Sequence, residues 1–104
     1  MSKLNGKWNI VVKTYMGDMP NTADFKVEGE ALTGMVTDSG NGVSARVEKG
    51  VVNGDNFSYA VTLKVAIGEV TNELTGTIGA DGNTISGISK NAMGEFPFEG
   101  VRAE

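Results

Sequence analysis

The side chains that could do chemistry in this chain are hydroxyls and amides, because the usual reactive side chains are missing. The 104 residues include no histidine and no cysteine, which removes the commonest general base and the thiolate nucleophile. The sequence contains no nucleotide-binding motif and no visible nucleophile–base pair. What remains is a set of polar residues at strand positions that are predicted to face inward: Thr14, Asn21, Tyr59, Asn72, Ser89 and Asn91.

Two interpretations of this set stay open. A mostly apolar pocket with a few convergent polar groups is how proteins build small-molecule sites, so the set predicts a ligand site. The same residues also fit the wet rim of a barrel, where they would bind water or one another, since buried amides need partners. Tyr59 has a third interpretation, in which its ring fills the core.

Alternation with a period of two positions these side chains, and glycine turns interrupt it every ~8–12 residues. Strands are predicted over 6–15, 18–27, 32–38, 43–52, 56–66, 69–79, 84–92 and 95–103. Short turns force each strand to pair with the next, and closure removes the two exposed edges. The prediction is a single all-β domain over residues 1–104, an eight-stranded antiparallel up-and-down barrel.

One segment occurs three times and orients the barrel. It reads K-T-Y-M-G-D-M-P at 13–20, K-V-A-I-G-E-V-T at 64–71 and K-N-A-M-G-E-F-P at 90–97. Each copy is predicted to be a hairpin turn, and the chain reads as four tandem hairpins of about 26 residues. The acids Asp18, Glu69 and Glu95 would then share one end. They fit solvated turn residues, and because no calcium-loop spacing is present, no metal site is predicted.

Two-residue loops at Met16–Gly17, Ile67–Gly68 and Met93–Gly94 fix a predicted register. The predicted cross-strand pairs are Trp8–Phe25, Tyr59–Gly76, Ile78–Ile85 and Ile85–Arg102. This register places the apolar residues of each pair on one face, and it aligns Gly76, Gly87 and Gly100 in a row beside Tyr59. The row predicts either a cavity floor or a bent sheet filled by rings. Asp81–Gly82 predicts a type I′ hairpin, Ser39–Gly42 a longer loop, and Lys49–Gly50 a bulge.

The two ends of the chain resemble the calycin superfamily of lipocalins, fatty-acid-binding proteins and avidins. G-K-W at 6–8 and F-E-G-V-R at 98–102 carry the resemblance, and F-K-V-E-G-E-A-L-T-G at 25–34 looks like the second hairpin of avidin-type barrels. The resemblance implies that Arg102 stacks on Trp8 and closes one end. The tryptophans and the polar triad with which avidins hold biotin are absent, so no particular ligand is implied.

The leading functional hypothesis is non-catalytic binding of a small, mostly apolar ligand, which enters at the end of the repeated turns. A small cyclase or isomerase using Tyr59 and the asparagines is one alternative, and a packed barrel serving as a protein–protein interaction module is another. No cofactor is predicted.

Charge and hydropathy predict the surroundings of the protein. The net charge of −4 is interspersed along the chain and includes no basic patch, so no nucleic-acid partner is expected. No long apolar run and no apolar leader are present, so we expect a cytoplasmic protein without a membrane span. Val11, Ile88 and Val101 are predicted to face outward on neighbouring strands, where they form a candidate homodimer surface.

Overall fold

The computed structural model describes residues 4–15, 17–40, 42–65, 68–92 and 94–103, with the backbone alone for 63–65. Nine strands follow one another along the chain. They are β1 (Gly6–Thr14), β2 (Gly17–Glu28), β3 (Ala31–Asp38), β4 (Ser44–Arg46), β5 (Glu48–Asn53), β6 (Asn56–Val65), β7 (Gly68–Ile78), β8 (Thr84–Asn91) and β9 (Gly94–Arg102). Within these described ranges, no helix is long and apolar enough to cross a membrane.

The strands form one closed antiparallel sheet. β1 pairs with β2 and β9, β2 also pairs with β3, and β5 to β8 each pair with the next strand, so the sheet closes on itself. β4 and β5 both pair with β3 and together occupy one position of the ring. The predicted all-β, eight-stranded up-and-down barrel is therefore confirmed, with its fourth strand divided in two.

The division of the fourth strand coincides with the predicted bulge. The β5–β6 register shifts between Glu48 and Val51, and Lys49 has a φ of 53°, which a non-glycine residue rarely adopts. The next residue is a glycine because a Cβ at position 50 would clash with the backbone oxygen of Leu32. The preceding connection is also the predicted longer loop, closed by a hydrogen bond from Asp38 N to Val43 O at 2.8 Å.

Three predicted registers are wrong by two residues, whereas Ile78 does pair with Ile85. The observed partners are Trp8 with Ala23, Tyr59 with Leu74, and Ile85 with Gly100. Since side chains alternate with a period of two, a shift of two residues leaves every side chain on its predicted face. The inward and outward assignments therefore survive, while the neighbours within the barrel change.

The position of the glycine in each repeated turn explains the shift. Gly17, Gly68 and Gly94 open the returning strands, opposite Thr14, Val65 and Asn91. Their φ angles of 110°, 136° and 133° favour glycine. The glycine thus follows each two-residue loop instead of forming half of it. The other predicted loop residues, Met16, Ile67 and Met93, lie outside the described residues.

The same register explains the lysine and the acid of the repeated segment. Lys13 is opposite Asp18, Lys64 is opposite Glu69, and Lys90 is opposite Glu95. Opposite charges at cross-strand positions stabilise strand pairing by on the order of 0.2–1 kcal/mol per pair. The repeated spacing is therefore accounted for by hairpin formation.

The Asp81–Gly82 turn is longer than predicted. Gly79 N donates to Thr84 O at 2.8 Å, and Gly82 N donates to Gly79 O at 2.9 Å. Asp81 Oδ1 accepts the Asn83 amide at 2.9 Å, so the aspartate stabilises its own turn. Only Gly82 among the described residues of this loop has a positive φ, whereas a type I′ turn needs two such residues.

The predicted glycine row is only partly present. Gly76 lies opposite Gly87 as expected, but Phe98, not Gly100, is the next neighbour of Gly87. A Cβ on Gly76 would lie 2.9 Å from Cζ of Phe57 and 2.9 Å from Cζ of Phe98. Gly76 therefore leaves room for the rings of Phe57 and Phe98 inside the barrel, as the infilling interpretation predicts.

Trp8 and Arg102 close the end of the barrel opposite the repeated turns. Cζ of Arg102 lies 4.4 Å from the centroid of the Trp8 ring, the stacking that the sequence predicts. Nη1 of Arg102 donates to Asn5 O at 2.7 Å, and its Nη2 donates to Gly82 O at 2.9 Å. Trp8 Nε1 donates to Leu4 O at 2.9 Å, so the indole and the guanidinium fix the loops that cover this end.

The glycine of the G-K-W segment belongs to the same closure. Gly6 has a φ of 119°, and a Cβ there would lie 2.8 Å from Nη1 of Arg102. A larger residue would displace the guanidinium from its acceptors.

We expect Gly76→Ala to destabilise the fold by about 1–3 kcal/mol, because the new methyl overlaps both rings. Urea denaturation measures this loss. Ser39→Ala is the control, since Ser39 lies in an exposed loop and should change stability by no more than about 0.5 kcal/mol. Equal urea midpoints for Gly76→Ala and the wild type would contradict the packing described for the rings.

Arg102→Lys keeps the charge but cannot reach both carbonyls in the fork geometry of a guanidinium. We expect a loss of about 1–2 kcal/mol in the free energy of unfolding, together with a change in the fluorescence of Trp8, the single tryptophan. Arg46→Lys is the matched control, because Arg46 is exposed. If both variants unfold at the wild-type midpoint, the closure contributes no stability.

Candidate functional site

The barrel end nearer the repeated turns, where the sequence predicts ligand entry and which we call the open end or mouth, contains a hydrogen-bonded pair of amides. Asn91 Nδ2 donates to Asn72 Oδ1 at 2.9 Å, and both side chains are partly buried. They occupy the inward phase of β7 and β8, directly beyond Leu74 and Ser89. Pairing lowers the free-energy cost of partly burying the two amides. The amide hydrogens of Asn72 have no hydrogen-bond acceptor among the described residues.

Ser89 and Tyr59 supply two hydroxyls below this pair. Both residues are only 3 % exposed, and neither side chain makes a hydrogen bond within the described part of the chain. Nevertheless, no polar side-chain atom of the described residues is both sealed from water and without a partner. The two hydroxyls are therefore not completely sealed from solvent, although both residues are almost entirely buried.

Thr14 and Asn21 lie on the neighbouring strands and differ in how they are used. Thr14 Oγ1 donates to Gly17 O at 2.8 Å, so the hydroxyl supports the first repeated turn. Asn21 is half-buried and lies opposite both Ile10 and Asp38. Thr14 is thus partly a turn residue, whereas Asn21 faces the mouth without a local structural role in the described contacts.

Two residues of the mouth were not predicted from the sequence. Asp38 shares the inward phase of β3 with the buried Val36, is half-buried, and accepts the Gly40 amide on Oδ1 at 2.7 Å. Phe96 is half-buried, pairs with Ser89, and contacts the exposed ring of Tyr15 at 5.9 Å between centroids. The aspartate was missed because the pattern D-S-G-N indicates a turn, and the phenylalanine was predicted to face inward but was not counted among the site residues.

Aromatic rings form the floor beneath the polar groups. Tyr59 contacts Phe25 edge-on at 5.2 Å and stacks on Phe57 at 6.2 Å, and Phe57 contacts Phe98 at 6.4 Å. Burial among these rings raises the pKa of the Tyr59 hydroxyl above its ordinary range, so this group is a neutral donor at physiological pH.

The chemistry of this arrangement is recognition by hydrogen bonds above an apolar floor. No three acidic, histidine or cysteine side chains of the described residues converge to hold a metal ion. The amides and hydroxyls can donate to an oxygen acceptor, and Tyr59 is held protonated, which is unfavourable for a general base.

The outer surface carries the residues of the predicted dimer interface. Ile88 and Val101 are 43 % and 53 % exposed, and Val11 is half-buried. Val11 lies opposite Glu99, whose carboxylate is 3.6 Å from Lys13 Nζ, so charge interrupts this patch. A surface depression of about 290 Å³ lies beside it, over β8 and β9. The dimer stays a prediction.

Comparison with known proteins shows the fold and no family. No protein-family model and no curated protein matches the chain. A redesigned β-barrel, b11L5F_LGL, superposes with a TM-score of 0.75 at 13 % identity, over 98 % of this chain and 92 % of that chain. A second redesigned β-barrel, mFAP1, was solved bound to DFHBI; its TM-score is 0.71 at 14 % identity, over 96 % of this chain and 94 % of that chain.

We expect Tyr59→Phe to reduce the sensitivity of folding to alkaline pH. The hydroxyl stays protonated in the folded protein but ionises in the unfolded chain above about pH 10, so stability falls as pH rises from there, by up to ~1.4 kcal/mol per pH unit. Between about pH 9 and about pH 11, the wild type should lose about 1 kcal/mol more than Tyr59→Phe in urea denaturation.

Tyr15→Phe is the matched control for this measurement, because Tyr15 is the other tyrosine and its side chain is 71 % exposed. An identical pH dependence for the wild type and Tyr59→Phe would show that the hydroxyl is not buried in the folded state.

Proposed function

We propose that this protein is a calycin-like binding protein that holds a small, mostly apolar ligand at the open end of its barrel without chemically changing it. The observation that carries the proposal is the partly buried Asn72–Asn91 pair above the hydroxyls of Ser89 and Tyr59. An apolar pocket with a few oriented polar groups is the usual construction of a small-molecule site.

The asymmetry of the barrel supports this proposal. The end near Trp8 is closed by the hydrogen bonds of Arg102 to Asn5 and Gly82. Rings fill the middle of the barrel, where Phe57 and Phe98 meet over Gly76. Inward polar groups that are not completely sealed from solvent lie beyond the rings, so the space for a ligand is in the half of the barrel nearer the repeated turns.

The structural neighbours agree with this use of the fold. mFAP1 was solved with DFHBI bound, and an eight-stranded barrel is wide enough to hold one small ligand. The G-K-W start and the terminal arginine add the calycin resemblance, whose members bind small molecules in their barrels. Fold likeness alone assigns no ligand, so the experiments below use probes.

We expect wild-type protein to bind the uncharged dye Nile red, and Asn72→Leu to weaken this binding by about fivefold, the worth of one hydrogen bond. Fluorescence titration measures both affinities. Asn56→Leu is the control, because Asn56 is exposed at the start of β6, near the closed end. Unchanged affinity in Asn72→Leu would remove the asparagine pair from the site.

Native mass spectrometry of protein purified from its own host tests the proposal without a chosen probe. A retained small molecule would support it and would also report the oligomeric state. If no ligand is retained and Nile red does not bind, the binding function is wrong, and the packed barrel acting through its outer surface becomes the better hypothesis.

A further inference from the structure

The polar groups that face the proposed ligand space are uncharged. Asn72, Asn91 and Ser89 have neutral side chains, and Tyr59 is enclosed by Phe25 and Phe57. Asn72 and the two hydroxyls have donors that no described residue accepts. Such a set suits an oxygen acceptor on the ligand, such as a hydroxyl or a carbonyl.

The basic side chains that the structure describes lie outside the proposed ligand space. Among the side chains that the structure describes, every lysine is exposed, and so is Arg46. Arg102 is engaged at the closed end by Asn5 O, Gly82 O and the Trp8 ring. A carboxylate moved into the barrel would lose its hydration without gaining a positive partner among the described side chains, and burial of an unpaired ion is strongly unfavourable.

The charged side chain that does belong to the mouth is negative. Asp38 ends β3 on the inward phase, is half-buried, and lies directly opposite Asn21. Its Oδ1 is held by the Gly40 amide at 2.7 Å, so the carboxylate is fixed at the rim. A fixed negative charge repels an anionic head group, and the net charge of −4 acts in the same direction.

We propose that the ligand of the open end has an uncharged oxygen head group, as in an alcohol, aldehyde or ketone, and that Asp38 determines this specificity by rejecting anions. The inference rests on the proposed binding function and adds the chemical class of the ligand. It places fatty acids and other carboxylates outside the ligand range of this barrel.

Competition against Nile red with three amphiphiles of one chain length tests the class. Decanol, decanoate and decylamine differ only in the head group. We expect decanol to displace the dye at a concentration at least about fivefold lower than decanoate, whose charge Asp38 repels, and at a lower concentration than decylamine, because Asp38 at the rim offsets only part of the cost of burying an ammonium. Displacement by decanoate or decylamine at an equal or lower concentration than decanol overturns the inference while the binding function stands. If wild-type protein binds no Nile red, the binding function itself fails.

Asp38→Asn tests the role of the carboxylate. The amide oxygen can still accept the Gly40 amide, so the turn is retained while the charge is removed. We expect the ratio of decanoate to decanol affinity to rise about fivefold, and urea denaturation verifies that the variant is folded. Asp24→Asn is the matched control, because Asp24 is exposed on the outer face of β2 and changes the net charge equally.

Salt dependence gives a second measurement that requires no variant. Repulsion by Asp38 is screened by salt, so wild-type protein should discriminate less against decanoate at about 1 M than at about 0.01 M ionic strength. Discrimination that is unaffected by both salt and Asp38→Asn would overturn the assignment of Asp38.

Discussion

The space inside an eight-stranded barrel is the constraint on which the rest of this structure depends. Such a barrel is just wide enough for side chains to fill it, so a large ring at one inward position requires a small residue at another. Gly76 meets that requirement for Phe57 and Phe98, and Gly87 lets β8 approach the backbone of β7 closely. The half of the barrel around these rings is consequently solid.

Closure of one end follows from the same packing. The Trp8 ring fills the narrow end, and Arg102 lies over it because Gly6 leaves room for the guanidinium. Arg102 is half-buried, and its donors form hydrogen bonds with the carbonyls of Asn5 and Gly82, which offsets the loss of hydration. With this end closed and the middle filled, the proposed ligand space lies on the side of the repeated turns.

The polar groups of the open end combine two demands. Asn72 and Asn91 form a hydrogen bond with each other, which offsets the cost of their partial burial, and the amide hydrogens of Asn72 have no acceptor among the described residues. Ser89 and Tyr59 lie nearer the rings and are almost entirely buried, but they are not completely sealed from solvent. Asp38 adds a negative charge at the rim, where the Gly40 amide donates to its Oδ1, and the proposed specificity against anions rests on this charge.

The sequence by itself determined the strands, their order and the face on which each side chain lies. These follow from local properties, namely the alternation of apolar residues and the glycine turns, and they are insensitive to a register shift of two residues. For the same reason the sequence placed Asn72 and Asn91 inward. Ring infilling was one of two interpretations of the glycine row, and the resemblance to calycins implied the stacking of Arg102 on Trp8.

Only the tertiary structure decided which inward residues are neighbours. The positive φ angles of Gly17, Gly68 and Gly94 accompany registers that differ by two residues from those predicted for three strand pairs. The amino-acid types alone do not specify these backbone conformations. The place of Asp38 in the mouth was likewise decided by the antiparallel pairing of β2 with β3, which puts Asp38 opposite Asn21. Contacts between residues distant in sequence are fixed by closure of the sheet, and closure is a property of the whole chain.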